Sequence, residues 1–331
     1  MVRHRRRARL AGCFLALSTL SALTVGAAPS AAPTVRAALG ATRPAASANG
    51  RLVVLLSVPR KGALLSQVAT VAPGGGTPRP LGQPAPYLGV AAQRGAGPLA
   101  LGSPSGLYLL PINSGRPSRL RPAGAPALLS RPAWSPDGHR LAFLATAQSR
   151  RAVGAPTLWM ADRSGHNARQ VLDAAHTADL LTVTWAPDGK SLLLSRFARS
   201  QGAISLFNLS SRRERQLAHG FDAVYSPDGR RIAYTVRGRP GQAHVWLFDV
   251  RAKRARQLSV QGLAQAAVPV WSPDGKTLVF FGTRAAAPTF IQPYDVWTVS
   301  ATGGVPRRVA ANVTRLLPVG QGILTWTNAA R

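Results

Sequence analysis

The acidic residues are the first place to look for catalysis, because paired carboxylates are common general acid–base groups. The chain of 331 residues has only 11 Asp and Glu. Six stand in repeated turns or hairpins, where a carboxylate can hydrogen-bond to backbone: Asp137, Asp162, Asp188, Asp228, Asp249 and Asp274. The others show no spacing that suggests shared acid–base work: Asp173, Asp179, Asp222, Asp295 and Glu214. We therefore interpret Asp137, Asp188, Asp228 and Asp274 as structural turn residues.

Histidine, cysteine and serine patterns give no stronger indication of a reaction centre. The histidines that follow the N-terminal region fall singly in predicted turns or loops, and Cys13 is the only cysteine. The chain has neither the H-E-x-x-H spacing of a zinc site nor the G-x-S-x-G of a serine hydrolase. The sequence thus predicts no metal site, no cofactor and no catalytic residues, and we expect that the protein is not an enzyme.

One turn motif recurs four times and organises the rest of the chain. The copies are Trp134–Gly138, Trp185–Gly189, Tyr225–Gly229 and Trp271–Gly275, each an aromatic residue, a small residue and then Pro-Asp-Gly. Pro presets φ, Asp tolerates the next position, and Gly supplies a positive φ before an apolar strand-like run. The motif therefore predicts a β-hairpin at each copy.

A second hairpin, ending in Arg-x-Leu or similar, follows each turn and extends upstream of them. Its equivalent positions are about 46 residues apart, the length of a four-stranded propeller blade: Ala69, Tyr108, Trp159, Ser205, Trp246 and Trp297. We predict an all-β fold, a six-bladed β-propeller of four-stranded antiparallel blades over 47–327, with a partial seventh blade as an alternative. The first unit lacks an innermost strand, which Leu316–Val319 or Ile323–Trp326 could supply.

The repeat resembles a known family. Trp-Ser-Pro-Asp-Gly-x-x-Leu-x-Phe, followed by a strand with Trp-x-x-Asp and a closing Arg-x-Leu, is similar to the WD-repeat-like propeller repeat. That repeat occurs in the C-terminal domain of the TolB family and in the propeller domains of prolyl oligopeptidases. The resemblance implies the propeller fold and, for a TolB-like protein, a platform that binds other proteins.

The N-terminus predicts export. Five arginines within Met1–Arg9 precede the apolar run Leu10–Val25 and the small residues Val25–Ala27, the order found in a secretory signal peptide. We predict a signal peptide over 1–28, an Ala/Pro-rich linker over 29–46, and a location in the periplasm, cell envelope or extracellular space. An uncleaved N-terminal anchor is the alternative, and Leu10–Cys13 also matches a lipobox in letters. No later run has the length of a membrane span.

The charge indicates an anionic partner. The chain has 41 Lys and Arg and a formal net charge of +30, and equivalent loops of a propeller gather on one face. Loops between the second and third strands supply the candidate binding residues, with two aromatics in the longest loop: Arg60, Lys61, Arg150, Arg151, Arg199, Arg237, Arg239, Arg284, Phe290 and Tyr294. The tryptophans are expected to pack between blades.

We expect an exported, non-catalytic monomer that binds a protein or an anionic cell-envelope component. The alternative is an enzyme with a central-channel site for an anionic small molecule or sugar. Nucleic acid ranks last as a partner, because export is predicted and the sequence has no basic helix or stacking platform.

Overall fold

A computed structural model describes residues 50–60, 63–95, 97–126, 128–148, 153–177, 179–197, 202–239, 242–284, 291–316 and 323–327. Nearly all the regular structure in these segments is β-strand, and the one helix they contain, α1 (Ala174–Thr177), is a single turn. The all-β prediction is confirmed. The predicted signal peptide (1–28) and linker (29–46) lie outside the described residues.

The strands are arranged in groups of four antiparallel neighbours, which we number along the chain. Group 1 consists of β24 (Leu324–Thr327), β1 (Arg51–Arg60), β2 (Ala63–Val71) and β3 (Arg79–Pro80). Group 2 consists of β4 (Gly89–Ala92), β5 (Leu99–Ser103), β6 (Gly106–Leu110) and β7 (Ser118–Leu120). Group 3 consists of β8 (Leu128–Trp134), β9 (Arg140–Gln148), β10 (Val153–Asp162) and β11 (Arg169–Leu172).

The second half of the chain repeats the same arrangement. Group 4 consists of β12 (Leu180–Trp185), β13 (Ser191–Arg196), β14 (Ala203–Asn208) and β15 (Glu214–Ala218). Group 5 consists of β16 (Phe221–Tyr225), β17 (Arg231–Arg237), β18 (Ala243–Asp249) and β19 (Arg254–Gln257). Group 6 consists of β20 (Gln265–Trp271), β21 (Thr277–Thr283), β22 (Ile291–Ser300) and β23 (Arg307–Leu316).

The Pro-Asp-Gly motif forms the turn between the first and second strands of groups 3 to 6. In group 3 the amide of Gly138 donates to the carbonyl of Ser135 at 2.9 Å, and Gly138 has a φ of 71°. The Ser135 hydroxyl accepts from the amide of Arg140 at 2.9 Å and donates to Asp137. These bonds satisfy the polar groups of the turn, so that β9 starts in register with β8.

The first strands of groups 3, 5 and 6 contain a β-bulge three residues before the aromatic residue of the turn motif. Arg131, Asp222 and Val268 occupy this position with φ values of 50°, 54° and 57°. At two bulges a hydroxyl from the preceding group holds the backbone, since Ala223 N donates to Ser195 Oγ and Val268 N to Thr235 Oγ1. The bulges thus fix the course of the first strands by contacts between groups.

The last described strand belongs to the first group. β24 pairs antiparallel with β1, with Leu52 opposite Trp326 and Val54 opposite Leu324. Of the two segments that could complete the first unit, the one at the C-terminal side does so. The other, Leu316–Val319, begins at the last residue of β23, and 317–319 lie outside the described residues.

The core lies between neighbouring groups. Phe143, Phe280 and Phe281 are completely buried, and one cluster joins residues of β1, β2 and β24 to residues of group 6. The indole N–H of Trp185 in group 4 donates to the carbonyl of Ala133 in group 3 at 3.0 Å. The tryptophan side chains therefore join one group to the next, and several of them also face the cavity described below.

Candidate functional site

A cavity of about 330 Å³ opens where the first strands of the groups end. Every one of these strands contributes to its wall, so the cavity lies on the central axis of the strand groups. Its mouth is bordered by the turn motif, including Pro136, Pro227 and Pro273. We call this end of the molecule the turn face.

The wall is mainly aromatic and aliphatic. Trp134, Trp185, Trp271, Trp326 and Tyr225 line it, together with alanines and valines of the first strands. The indole N–H groups of Trp185 and Trp271 are occupied by carbonyls of the preceding group. Among the described residues, Nε1 of Trp134 has no hydrogen-bond partner although it is buried. The wall therefore offers flat apolar surface for a ligand.

The charge of the cavity comes from two arginines. Arg94 and Arg131 line it, and none of its described lining residues is Asp or Glu. Burial lowers the pKa of Arg131 from its ordinary value, and the negative charge of Asp222 opposes that change. Burial also lowers the pKa of Arg94. Both guanidiniums still carry their charge at neutral pH, so the cavity favours an anion.

Polar residues occupy three of the first strands, three positions before the aromatic residue of the turn and farther from the turn face than the aromatic side chains. Thr182 stands three residues before Trp185, as Arg131 does before Trp134 and Asp222 before Tyr225. Thr182 and Asp222 are buried, and Oγ1 of Thr182 has no hydrogen-bond partner within the described part of the chain. These residues were not predicted from the sequence, because they differ in type and do not form a repeated motif. Their constant distance from the turn aromatic was the available signal.

The turns contact one another around the mouth. Arg140 Nη2 donates to the carbonyl of Gly189 at 2.8 Å, and Arg231 Nη2 to that of Gly275 at 3.2 Å. Between group 2 and the turn of group 3, Gln93 Nε2 donates to the carbonyl of Gly138 at 3.3 Å. The turn face is thus bordered by residues that are bonded to the neighbouring group.

The turn aspartates bond within their own turns. Asp228 accepts from the Ser226 hydroxyl and from the amide of Arg230, at 3.1 Å for the amide. The hydrogen bond from Ser226 is the main reason that the pKa of Asp228 is lowered. Asp137 has a lowered pKa for the same reason, with Ser135 as donor. Asp188 and Asp274 accept from the amides of Lys190 and Lys276.

The described arginines of the predicted binding set lie at the opposite end of the strands from the turn face, near the ends of second strands. Arg239 and Arg284 are exposed there, and Arg237 and Arg284 stack on Phe221 and Trp297 at 4.7 and 5.4 Å. Arg60 is the last residue of β1. The remaining basic residues and one aromatic lie outside the described residues: Lys61, Arg150, Arg151, Arg199 and Phe290.

Tyr294 corrects an expectation. The sequence analysis placed it in an exposed loop, but it lies in β22 and is completely buried. Its hydroxyl donates to Oε1 of Gln265 at 2.8 Å. Strand β22 begins at Ile291, so the hairpin loop is shorter than predicted and the tyrosine becomes part of the core between β20 and β22.

The described residues contain neither a metal-binding cluster nor a helix able to span a membrane. No group of three or more His, Cys, Asp or Glu side chains there is placed to hold a metal ion. No helix in these segments combines the length and hydropathy that crossing a bilayer requires.

Comparison with known families assigns the repeat. The family model described as TolB beta propeller domain matches residues 140–319, more than half of the chain. The chain belongs to the TolB beta propeller domain family. The predicted resemblance to TolB-like repeats is therefore confirmed, and the fold belongs with the β-propellers of this family.

Individual relatives share this family's repeat over limited lengths. The Tol-Pal system protein TolB of Anaeromyxobacter dehalogenans is 30% identical over 116 residues, which are 34% of this chain and 26% of that protein. The uncharacterized peptidase YuxL of Bacillus subtilis is 28% identical over 172 residues, 50% of this chain and 23% of that protein. The matches thus span about a quarter of each relative. The solved TolB of Acinetobacter baumannii superposes with a TM-score of 0.61 at 19% identity, covering 84% of this chain and 66% of that chain.

The expectation that the protein is not an enzyme is wrong. It rested on the missing G-x-S-x-G and on the few acidic residues, yet a relative of matching sequence over half of the chain is named as a peptidase. This chain matches both that protein and Tol-Pal system proteins over part of its length. Absence of one motif therefore does not exclude enzymatic activity for a chain of this fold.

Proposed function

We propose that this chain is an exported six-bladed propeller whose turn face binds an acidic protein of the cell envelope. The observation that carries the proposal is the cavity lined by Arg94 and Arg131, with no Asp or Glu among its described lining residues. An apolar recess with positive charge suits a protein segment that presents acidic and apolar side chains together.

The strand order supports six blades. Each group from 2 to 6 takes its four strands from consecutive sequence, and group 1 combines β24 with β1, β2 and β3. Pairing the last strand with the first is a way to remove the exposed edges that an open array would leave. The mean spacing of the hairpins, about 46 residues, agrees with this count.

The geometry of the turn face supports binding there. Hydrogen bonds between neighbouring turns hold the rim without a partner, so a ligand would meet a preformed surface and little ordering entropy would oppose binding. The sequence of Met1–Ala28, with its basic start and apolar run, supports export. The relative named as a Tol-Pal system protein supports an envelope role.

The test is capture from solubilised envelope by the purified protein with crosslinking, at low and high salt. The variant Arg94→Gln/Arg131→Gln removes the charge of the cavity. As a matched control, Arg169→Gln/Arg254→Gln removes two exposed charges on the fourth strands β11 and β19, away from the turn face. We expect one protein to be retained by wild type and by the control at high salt, and to be lost from the cavity variant.

A third variant separates the two ends of the molecule. Arg237→Gln/Arg239→Gln/Arg284→Gln neutralises the described loop arginines, which the sequence analysis named as the binding set. Retention that depends on these residues instead of Arg94 and Arg131 would overturn the turn-face proposal. Loss of all retention at high salt in every form would replace it with binding of a polyanion by charge alone.

We propose catalysis in the channel, on an anionic small molecule or sugar, as the second candidate function. Asp222 favours it, because this buried carboxylate lies close enough to Arg131 for their charges to interact below the cavity. Turnover of anionic sugars and small esters by wild type, lost in Asp222→Asn but not in Asp249→Asn, would support it. Equal rates in wild type and Asp222→Asn would exclude this role for Asp222.

A further inference from the structure

We infer that Arg131 anchors a carboxylate at the inner end of the cavity, and that the ligand carries this carboxylate on a small apolar body. The inference rests on the proposed binding role of the turn face, because it concerns the same cavity. It adds the chemical class of the group that is bound and the residue that recognises it.

The backbone around Arg131 is built for a specific position. Arg131 has a φ of 50°, which is unfavourable for a residue other than glycine, and Pro132 directly follows it. The bulge that β8 shares with the first strands of groups 5 and 6 enforces this conformation, so the Cα position of Arg131 is fixed.

Two glycines of blade 2 make room for this segment. A Cβ on Gly102 would lie 2.9 Å from Cα of Ser130, and one on Gly89 would lie 3.2 Å from Cα of Arg131. Neither glycine has a positive φ, so their role is the close approach of the backbones. The neighbouring blade therefore fixes where the Arg131 side chain starts.

The Arg131 guanidinium has hydrogen-bonding capacity to spare. No acceptor among the described residues bonds to it, and its interaction with Asp222 is one of charge. A guanidinium carries five N–H donors in a planar fork, which matches the two oxygens of a carboxylate. Arg131 is half-buried on the cavity wall, and a charge partly removed from water without hydrogen bonds is costly. A bound carboxylate would therefore satisfy donors that the protein leaves unused.

The surroundings favour a single negative charge. Arg131 lies three residues before Trp134 in β8, on the side of the cavity away from the turns, whereas Arg94 is exposed. The desolvation cost of an ion rises steeply with its charge, and one guanidinium neutralises one charge. A carboxylate is therefore favoured at this depth over a phosphate or another dianion.

The cavity wall between Arg131 and the mouth limits the size and polarity of the group that carries the carboxylate. Four tryptophans and Tyr225 face a volume of about 330 Å³, close to the lower limit of about 300 Å³ for ligand pockets. This space suits one ring or a short aliphatic chain, with the carboxylate at one end. Such a group is supplied either by a free aromatic or aliphatic acid or by the C-terminal residue of a peptide.

The experiment is calorimetric titration of the full-length protein with indole-3-propionate and with indole-3-propionamide, its neutral counterpart. We expect the acid to bind saturably and the amide to bind at least about tenfold more weakly, the loss expected for a charge-assisted hydrogen bond. Arg131→Gln should weaken binding of the acid by a similar factor, and Arg163→Gln should leave its binding unchanged. A thermal melt of each variant verifies folding, and Arg131→Lys, which keeps the charge without the fork, should be intermediate.

A peptide pair separates the two sources of the carboxylate. Ac-Gly-Gly-Trp with a free C-terminus is compared with the same peptide amidated, and stronger binding of the free peptide than of the indole acid identifies a chain end as the ligand. Equal binding of acid and amide, or full binding by folded Arg131→Gln, would overturn the inference. A further outcome is that capture of an envelope protein depends on Arg94 and Arg131 but no carboxylate binds. This result would overturn only the carboxylate subsite and leave the proposed function standing.

Discussion

The guanidinium carbon of Arg140 lies 4.7 Å from the centroid of the Trp185 ring in the next blade. The same arginine donates to the carbonyl of Gly189 in the turn that follows Trp185. Arg231 repeats this arrangement with Trp271, at 4.8 Å, and with Gly275. An arginine that begins the second strand of one blade therefore binds both the aromatic residue and the turn of its neighbour.

Removal of this contact should weaken the interface between blades. Arg231→Met keeps the aliphatic stem but loses the cation–π contact and the hydrogen bond, and we expect the free energy of unfolding to fall by about 1–2 kcal/mol. Urea denaturation measures the change. Arg230→Met is the matched control, since Arg230 is exposed in the same turn, and it should change stability by less than about 0.5 kcal/mol. Equal effects of the two variants would show that the stacked arginine contributes nothing specific.

The turn aspartates should make stability depend on acid pH. Because the pKa of Asp228 is lower in the folded state than in the unfolded chain, its contribution is complete above the unfolded value near 4 and disappears as pH falls through the folded value. Asp228→Asn should therefore be less stable than wild type by about 0.5 kcal/mol at pH 7, because solvent screens this exposed carboxylate. The difference should shrink between about pH 5 and pH 2.

A thermodynamic cycle with Ser226 checks the cause of that shift. In the background Ser226→Ala, the hydroxyl that donates to Asp228 is absent, so Asp228→Asn should cost less than it does in wild type. A cost of Asp228→Asn that is independent of pH and of Ser226 would contradict this explanation.

The close approach of blades 2 and 3 should not tolerate a methyl group. Gly102→Ala would place Cβ 2.9 Å from Cα of Ser130 and 3.0 Å from the carbonyl oxygen of Leu129. Backbone atoms on both sides must then shift, at a cost of about 1–3 kcal/mol. Gly74→Ala meets no atom within 4 Å and has no positive φ, so its melting temperature should be unchanged or slightly higher. Comparison of the two melts decides whether the contact is as tight as described.

The pairing of β24 with β1 should carry a substantial share of the stability. Leu324 is buried in the cluster that joins group 1 to group 6, and Leu324→Ala should lower the free energy of unfolding by about 2–5 kcal/mol. Val305→Ala removes a side chain that is 77% exposed and should have almost no effect. A change below about 1 kcal/mol for Leu324→Ala would mean that the last strand is dispensable.

Sequence periodicity predicted most of this fold because the repeat combines turn chemistry with strand spacing. The four turn motifs lie between first and second strands, and the hairpin positions Ala69, Tyr108, Trp159, Ser205, Trp246 and Trp297 all lie in third strands. The arginines that close this hairpin, such as Arg169 and Arg256, lie in fourth strands. Local propensity and long-range pairing agree in these segments, so each element is determined by its own residues.

The site was less predictable because it depends on which residues closure of the blades brings to the axis. Arg131, Thr182 and Asp222 are far apart in sequence and share only their distance from a turn aromatic. Glycines of another blade lie against the backbone at Ser130 and Arg131, and no local pattern reveals that contact. Tyr294 was misplaced for a related reason: the length of a hairpin loop depends on how far its two strands remain paired.

The pairing of β24 with β1 also sets the moment at which the protein can fold during its synthesis. Strand β1 leaves the ribosome about 270 residues before the strand that covers its edge. Until then its unpaired N–H and C=O groups are a template for any other chain in extended conformation. Completion of the first blade must therefore wait until β24 has been synthesised, and a chaperone that protects the nascent chain should act on the edge of β1.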